Sequence, residues 1–309
     1  MKQLALAHIV YPSAVHTRFA HSLGVYHITR FATDDVLAHV YALVHDAAHG
    51  PLSHLSEYAL RRNGVHFDHD ERLRDILPEI LEDSVFSPSE VLRSEARLFV
   101  SGGAGSDRLD YLLRDSYFSG VAVGEIAWDR IVRNVWVQDG KLVAHRKIVP
   151  NLEQLFVARF ILGDALYFHK TLLIANEMFV RAISDLLHHY KPGEIISMDD
   201  VQLAAALRRV GSIWWARIEN RDLFKLVHRD TDKGSALDVY ERCAAKLGED
   251  HVLFGERLNW YKPPHVIIDG LGDIREVSPL VAALQEAEER RHYYFVAVDP
   301  HAPGSGACR

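Results

Sequence analysis

The sequence is poor in cysteine, with only Cys243 and Cys308 among 309 residues. Because they stand far apart and one lies near the end, they offer neither a disulfide framework nor a thiolate metal site, and a reducing cytoplasm fits this usage. The sequence also lacks an apolar run long enough to cross a membrane, and its start lacks the apolar core and cleavage site of a signal peptide. We therefore expect a cytoplasmic protein without a membrane partner.

An excess of positive charge is missing as well. Lysine and arginine total 35 against 42 acidic residues, for a net charge of -7. This balance gives no bulk attraction to nucleic acid, which is not an expected partner. With 48% hydrophobic residues, the chain can form one large domain, or one domain and an appendage. The residue in excess is histidine, with 19 copies that crowd the first third.

Histidine and aspartate are concentrated between residues 42 and 54, which read ALVHDAAHGPLSH. The apolar pattern predicts a helix over residues 36–48 that stops before Gly50-Pro51, with His45 and His49 on one face of its open end. A single buried histidine is commonly structural. Four histidines and a carboxylate in so short a stretch are instead typical of a metal or catalytic site.

Two other segments supply residues of the same kind. Arg18 and His21 are expected at a helix start, where an anion binds well. Another helix, with Ser106 as its cap, places Asp107, Tyr111 and Asp115 on one stripe. The resulting metal set consists of His21, His45, Asp46 and Asp107, and mixed imidazole and carboxylate ligands suit Fe, Mn, Co, Ni or Zn.

The metal set predicts a reaction. A bound divalent ion can lower the pKa of water and polarise phosphorus. His49, His54 and His69 can contact phosphoryl oxygens or move a proton near neutral pH. The residues alone therefore predict metal-assisted hydrolysis of a phosphate ester.

The remaining patterns predict a mainly α protein. Helices are expected over residues 53–61, 66–77, 88–100 and 152–187, with a β-hairpin at Asp139-Gly140. On the long helix, Arg159 and Lys170 share one stripe, as two cations for a polyphosphate would. A boundary at residues 191–193 separates a core of residues 1–190 from a small α+β lobe of residues 191–300, followed by a flexible tail of residues 301–309.

Four stretches together resemble the HD-domain phosphohydrolases, and within them the deoxynucleoside triphosphate (dNTP) triphosphohydrolases of the sterile-alpha-motif and HD-domain type. They are Tyr11 to Gly24, His45 to His54, Asp107 to Asp115 and Tyr167 to Lys170, within residues 1–180. The resemblance implies an HD-domain helical core with a β-hairpin and a small C-terminal α+β lobe. It also implies release of deoxynucleoside and tripolyphosphate from a dNTP, with Mg²⁺ accompanying the triphosphate as an option.

The resemblance implies a role for each matching residue. His21, His45, Asp46 and Asp107 would hold the metal. The catalytic group would comprise Arg18, His49 and His69 at the α-phosphate, His54 as proton donor to the departing 5′ oxygen, and Glu57 orienting a histidine. The substrate-binding group would comprise Arg108, Arg159 and Lys170 on the β- and γ-phosphates, Tyr111 and Asp115 on the 3′ hydroxyl, and Gln3, Leu4 and Tyr167 against the 2′ edge. Arg108 stands where the animal enzymes have lysine, and Glu57 where they have aspartate.

The resemblance also implies a homo-oligomer, either a dimer or a tetramer. The helix that the family usually places before Gln3, with its share of a nucleotide activator site, is absent from the sequence. Either the chain is shortened at its start, or it is a compact form without that control.

Two other functions stay open. The first is a different HD-type phosphohydrolase, acting on nucleoside monophosphates or on a diester, which would not need Arg108, Arg159 and Lys170. The second is a module that binds a metal and a nucleotide or nucleic acid without turnover. Such a module has no use for three proton-transfer histidines, and the net charge of -7 argues against nucleic acid.

Overall fold

The structure is a computed structural model that describes residues 1–257 and 265–308. The fold is mainly helical with small sheets, as predicted. Within the described ranges, no helix combines the length and apolarity that crossing a membrane requires. Part of the predicted C-terminal lobe, residues 258–264, and the last residue of the predicted tail lie outside the described residues.

The first part of the chain carries helices α1 to α10 and one hairpin. The helices are α1 (Arg18–Ala32), α2 (Val36–Val44), α3 (His54–Arg62), α4 (His69–Ile80), α5 (Pro88–Arg93), α6 (Leu98–Ser101), α7 (Ser106–Ser119), α8 (Trp128–Val132), α9 (Val149–Leu162) and α10 (Lys170–Leu187). The hairpin joins β1 (Val135–Gln138) to β2 (Lys141–Ala144). Asp139 and Gly140 have φ of 52° and 66°, the left-handed pair that a tight hairpin turn requires, so the predicted hairpin is confirmed.

The second part mixes short helices and strands. The helices are α11 (Pro192–Ile196), α12 (Asp200–Arg209), α13 (Ile213–Glu219), α14 (Lys233–Leu247), α15 (Ile274–Val277) and α16 (Pro279–Glu289). The strands are β3 (Lys225–Asp230), β4 (Val252–Arg257), β5 (Ile267–Ile268), β6 (Gly272–Asp273) and β7 (Tyr293–Val298). Strand β7 lies between β3 and β4 and is antiparallel to both.

Hydrophobic contacts and strand pairing join residues on both sides of the predicted boundary near residue 190. One hydrophobic cluster joins α3 and α10 to α12, α13, β4 and β7, and its largest buried side chains include Phe179, Phe224 and Phe295. Strand β5 pairs in parallel with β2 of the hairpin. The division into a core and a C-terminal lobe therefore stays a proposal. In the predicted tail, Ala302 is buried and Cys308 packs against the cluster that contains Cys243.

Helix α2 ends four residues earlier than its apolar pattern predicts. It stops at Val44, and the chain then tightens because the Ala47 amide donates to the Val44 carbonyl and the His49 amide donates to the Asp46 carbonyl. The prediction that His45 and His49 share a helix face is therefore wrong. The tighter turns send these two histidines to different groups.

The predicted long helix over residues 152–187 is also wrong. Helix α9 ends at Leu162, a π-helical turn covers Gly163–Tyr167, and α10 starts at Lys170 after the His169 ring accepts the Thr171 amide. Arg159 and Lys170 thus do not share a stripe of one continuous helix. The predicted helix over residues 88–100 is interrupted in the same way, between α5 and α6.

Close contact between α1 and α7 places the first and third metal-site segments side by side. Gly24 makes this contact possible, because a Cβ there would lie 1.8 Å from Asp110 Oδ1. Ser106 is the first residue of α7 and not its cap, which is Gly105. Its hydroxyl instead contacts Thr29 Oγ1 at 2.6 Å, which adds a buried polar contact between the two helices.

Candidate active site

The four predicted metal ligands converge where α1, the end of α2 and the start of α7 meet. His21 Nε2 lies 3.1 Å from Asp107 Oδ1 and 3.6 Å from Asp46 Oδ2. His45 Nε2 lies 3.6 Å from Asp46 Oδ1 and 3.9 Å from Asp107 Oδ1. One ligand atom each from His21, His45 and Asp107 falls within 4.8 Å of the others, a spacing that one metal ion can bridge.

Hydrogen bonds orient both histidine rings toward this point. His21 Nδ1 lies 2.7 Å from Asp110 Oδ2, and His45 Nδ1 lies 2.9 Å from the Ala42 carbonyl. Both partners only accept, so they hold a proton on Nδ1 and leave Nε2 to face Asp46 and Asp107. His45 Nε2 is buried without a hydrogen-bond partner among the described residues. A buried, unpartnered imidazole nitrogen aimed at two carboxylates fits a metal ligand.

The electrostatics of the group also fit a cation. Burial lowers the pKa of His21, but its contacts with Asp107 and Asp110 outweigh burial and raise the pKa to about 10, so Nε2 also carries a proton until a metal ion replaces that proton. Burial alone would raise the pKa of Asp46, but the Arg18 guanidinium and nearby histidines hold it well below its usual range. Several carboxylates thus stay ionised around one point, where a divalent cation would offset their mutual repulsion.

Arg18 holds the carboxylate of Asp46 from the side away from His45. Its Nη1 donates to Asp46 Oδ2, and its Nε donates to Ser53 Oγ at 2.7 Å. Ser53 has φ of 61° and in turn donates to the Lys2 carbonyl at 2.7 Å. Arg18 is buried, so its charge acts within the site and is not diluted by bulk water.

A second group contains His49, His54, Glu57 and His69. The rings of His49 and His69 stack with centroids 3.9 Å apart, and the ring of His54 stands edge-on to His49 at 4.4 Å. Glu57 Oε2 accepts from His69 Nδ1 at 2.8 Å, and burial of His69 opposes protonation less than this carboxylate favours it, so its pKa is raised. Burial and the Arg18 charge lower the pKa of His49, which stays neutral.

The two groups meet at Asp46. Its Oδ1 lies 3.3 Å from His49 Nε2 and 3.6 Å from His45 Nε2. The second group therefore lies beside the metal position, with His54 half-exposed at the start of α3. This arrangement places groups that can donate or accept a proton next to a group that can bind an ion.

Of the predicted sugar-binding residues, Asp115 and Tyr167 form a separate polar pair. Tyr167 donates to Asp115 Oδ2 at 2.7 Å, and both residues are buried or nearly so. Burial and the Asp115 charge raise the pKa of Tyr167 well above its usual range. Leu4 and Tyr111 pack with Tyr167 against one hydrophobic cluster. Gln3 lies nearby in the chain, with its buried Oε1 lacking a partner among the described residues.

The three predicted phosphate-binding cations lie in different surroundings. The Nη1 of Arg108 donates to the Gly103 carbonyl, and its Nε is buried without a partner in the described part of the chain. Arg159, on α9, is close enough to Tyr167 to act on its ionisation. Lys170 is exposed at the start of α10. Their predicted role at the β- and γ-phosphates therefore stays a prediction.

Two residues at the site escaped the sequence analysis. Asp110 orients His21, and it also accepts from Arg114 at 2.8 Å through both oxygens. His16 contacts Asp115 Oδ1 at 2.8 Å. The spacing of Asp110 three residues after Asp107 could have signalled a second carboxylate on the same face. His16 lies in a loop, where periodicity carries no signal.

Comparison with known proteins identifies the family of this chain. A family model described as the HD domain matches residues 18–103, and one described as the HD associated region matches residues 126–238. A protein of Methanocaldococcus jannaschii of unassigned function is 32% identical over 94% of this chain and 70% of its own length. The chain belongs to the HD-domain phosphohydrolase family.

Two further proteins are similar to this chain at lower sequence identity. A Dictyostelium discoideum protein named as a deoxynucleoside triphosphate triphosphohydrolase SAMHD1 homologue is 26% identical, and the match covers 75% of this chain and 55% of that protein. The crystal structure of a phosphohydrolase from Bacteroides thetaiotaomicron aligns with a TM-score of 0.78 and 24% identity, covering 97% of this chain and 92% of that one. This structural likeness shows the shared fold.

Proposed function

We propose that the protein hydrolyses dNTPs to a deoxynucleoside and tripolyphosphate, with a divalent transition metal on His21, His45, Asp46 and Asp107. One observation carries the proposal: α7 presents Asp107 to the metal group and Asp115 to the buried polar group with Tyr167. These two aspartates are eight residues apart, which is about 12 Å along a helix axis. The α-phosphate and the sugar of one nucleotide can lie along this span, between side chains that reach inward from both ends.

The described residues support phosphate chemistry at one end of this span. When bound, the metal supplies an activated water and polarises the phosphoryl group. Arg18 lies on the far side of Asp46 and offsets negative charge there. His54, half-exposed and next to His49, can donate a proton to the departing 5′ oxygen, while Glu57 fixes the ring of His69.

The other end of the span supports selection of a deoxyribose. A carboxylate oxygen of Asp115 can accept a hydrogen bond from the 3′ hydroxyl. Leu4 and Tyr167 would close against the 2′ edge, where a ribose hydroxyl would be buried without a partner. The preference for deoxyribose would then rest on shape and on the cost of burying an unpaired hydroxyl.

Arg108 favours a second candidate function. Its Nη1 donates to the Gly103 carbonyl, so this donor is already engaged and is not free for a triphosphate oxygen. A phosphohydrolase acting on nucleoside monophosphates or on a diester would need the metal group but not this donor. A dimer or tetramer and Mg²⁺ with the triphosphate remain predictions of the family resemblance. A cytoplasmic location remains a prediction from the sequence.

A substrate panel separates these functions. The Mn²⁺-loaded protein is incubated with each dNTP, its ribonucleotide, its monophosphate and a nucleotide diester, and consumption is followed by chromatography. The proposal expects consumption of dNTPs well above that of ribonucleotides. Asp46→Asn should abolish turnover, whereas Asp238→Asn, a matched change at an exposed position of α14, should not. Turnover of monophosphates or diesters alone would instead establish the second candidate.

A further inference from the structure

His16 is a buried residue that contacts Asp115 at the proposed sugar site. The family resemblance gives it no role. It lies in the loop before α1, and its side chain is 1% exposed. Its Nε2 lies 2.8 Å from Asp115 Oδ1, while the other oxygen of this carboxylate accepts from Tyr167. The ring stacks on Phe118 with centroids 4.7 Å apart and planes 27° apart, which fixes its orientation.

The hydrogen-bond partners of the His16 ring indicate which nitrogen carries its proton. His16 Nδ1 is buried and has no hydrogen-bond partner among the described residues, so a proton there would be left unpaired. Asp115, as a carboxylate, can only accept. The single proton therefore belongs on Nε2, and His16 donates to Asp115.

This contact holds the carboxylate group of Asp115 in one orientation. Each oxygen of Asp115 receives one donor from the protein, and a carboxylate oxygen can accept two. The remaining acceptor sites therefore point in directions set by His16 and Tyr167. The main chain of His16 adds a link to the 2′ edge, because its carbonyl accepts the Gln3 amide at 3.0 Å.

We propose that His16 is a positioning residue, which sets Asp115 to accept the 3′ hydroxyl of the bound nucleotide and so makes the protein discriminate against nucleotides that lack it. This proposal rests on the proposed function. Without the His16 donor, the carboxylate can rotate about its side-chain torsions and accept a different partner. The contribution of the 3′ hydroxyl to kcat/KM should then be lost, even though the metal group is untouched.

The test compares a dNTP with the matching 2′,3′-dideoxynucleotide in the full-length, metal-loaded protein. Wild type should prefer the dNTP in kcat/KM by about tenfold or more, the range for a hydrogen bond to a charged group. His16→Ala should bring this ratio close to one. His16→Gln, whose amide nitrogen can occupy the Nε2 position, should restore most of the preference. His27→Gln changes an exposed histidine on α1 and should leave the ratio unchanged.

Each result has one meaning. A wild-type ratio in His16→Ala overturns the proposal, because a merely structural residue would lower activity on both nucleotides equally. Equal losses on both nucleotides in His16→Gln and His16→Ala, with an unchanged ratio, overturn it as well. If His16→Ala does not fold, His16→Phe takes its place, because it keeps a ring against Phe118 and removes the Nε2 donor; a wild-type ratio in His16→Phe overturns the proposal. A wild type that consumes neither nucleotide overturns the proposed function itself, and this proposal with it.

Discussion

Replacing Asp110 with alanine should weaken metal binding although Asp110 is not a ligand. Its Oδ2 accepts from His21 Nδ1 at 2.7 Å, and the His21 side chain is only 1% exposed, so water does not readily replace the carboxylate. Loss of such an outer-shell partner costs about 10- to 100-fold in metal affinity, which is about 1.4 to 2.7 kcal/mol. We expect the upper half of this range, because the His21 ring loses both its orientation and its basicity. Arg114 can turn toward solvent, since it is already part-exposed.

The assay is titration of the purified, metal-free protein with Mn²⁺ by calorimetry. Asp110→Asn retains an oxygen that can accept from His21 and should lose less affinity than Asp110→Ala. Asp238→Ala removes the same charge from an exposed position and should bind Mn²⁺ like wild type. A dissociation constant for folded Asp110→Ala within about twofold of wild type, against the range expected from outer-shell losses, would refute the assigned role of Asp110.

Further predictions follow from single contacts. His45→Ala removes a predicted ligand whose Nε2 has no hydrogen-bond partner in the described ranges, and it should abolish both Mn²⁺ binding by calorimetry and turnover; retained binding would argue against the predicted metal ligands. Gly24→Ala places a Cβ against Asp110 and should lower the melting temperature and metal affinity together, whereas an unchanged melting temperature would show that the helices can separate freely. Tyr167→Ala should raise ribonucleotide turnover relative to dNTP turnover, and an unaltered ratio would contradict its 2′-edge role. The Glu57 carboxylate raises the pKa of His69 above 6.5 in the folded protein despite burial, so their pairing stabilises the fold fully below about pH 6.5 and less as the pH rises through the raised pKa. Thermal unfolding should therefore show His69→Gln most destabilised at acidic pH, and a deficit that grows with pH would reverse the sign of the argument.

The cluster of His21, His45, Asp46 and Asp107 could be predicted from the sequence because its residue types carry the chemistry of a metal site. Several histidines and an aspartate together at a helix end have few structural uses, so His45 and Asp46 indicate a metal or catalytic site whatever their backbone conformation. The chain brings them next to His21 and Asp107, as expected. The roles of these residues in turnover remain predictions.

The exact ends of the helices could not be predicted by periodicity. The apolar pattern continues past Val44, but there the backbone amides donate hydrogen bonds to carbonyls three residues earlier, which tightens the chain. The same limitation hid the π-helical turn at Gly163–Tyr167, since buried Leu162 and Leu166 keep a helical spacing of four residues across its start. This turn carries the tyrosine that donates to Asp115.

Contacts between distant segments could not be predicted from the sequence for a different reason. Asp110 looks like one more charge on a solvated helix face, and only the approach of α1 at Gly24 buries it beside His21. His16 lies in a loop without any periodic signal, 99 residues from the aspartate that it contacts. Pairings of this kind depend on how the helices pack.

The most direct test of the central claim is the identity of the phosphate product. Wild-type protein loaded with Mn²⁺ is incubated with a dNTP in ¹⁸O-labelled water, and the nucleoside and phosphate products are resolved by chromatography and mass spectrometry. Attack of water at the α-phosphorus, with the 5′ oxygen as the leaving group, predicts equal amounts of deoxynucleoside and tripolyphosphate, with the label in the tripolyphosphate. Release of orthophosphate or pyrophosphate, or label in the deoxynucleoside, would contradict the account.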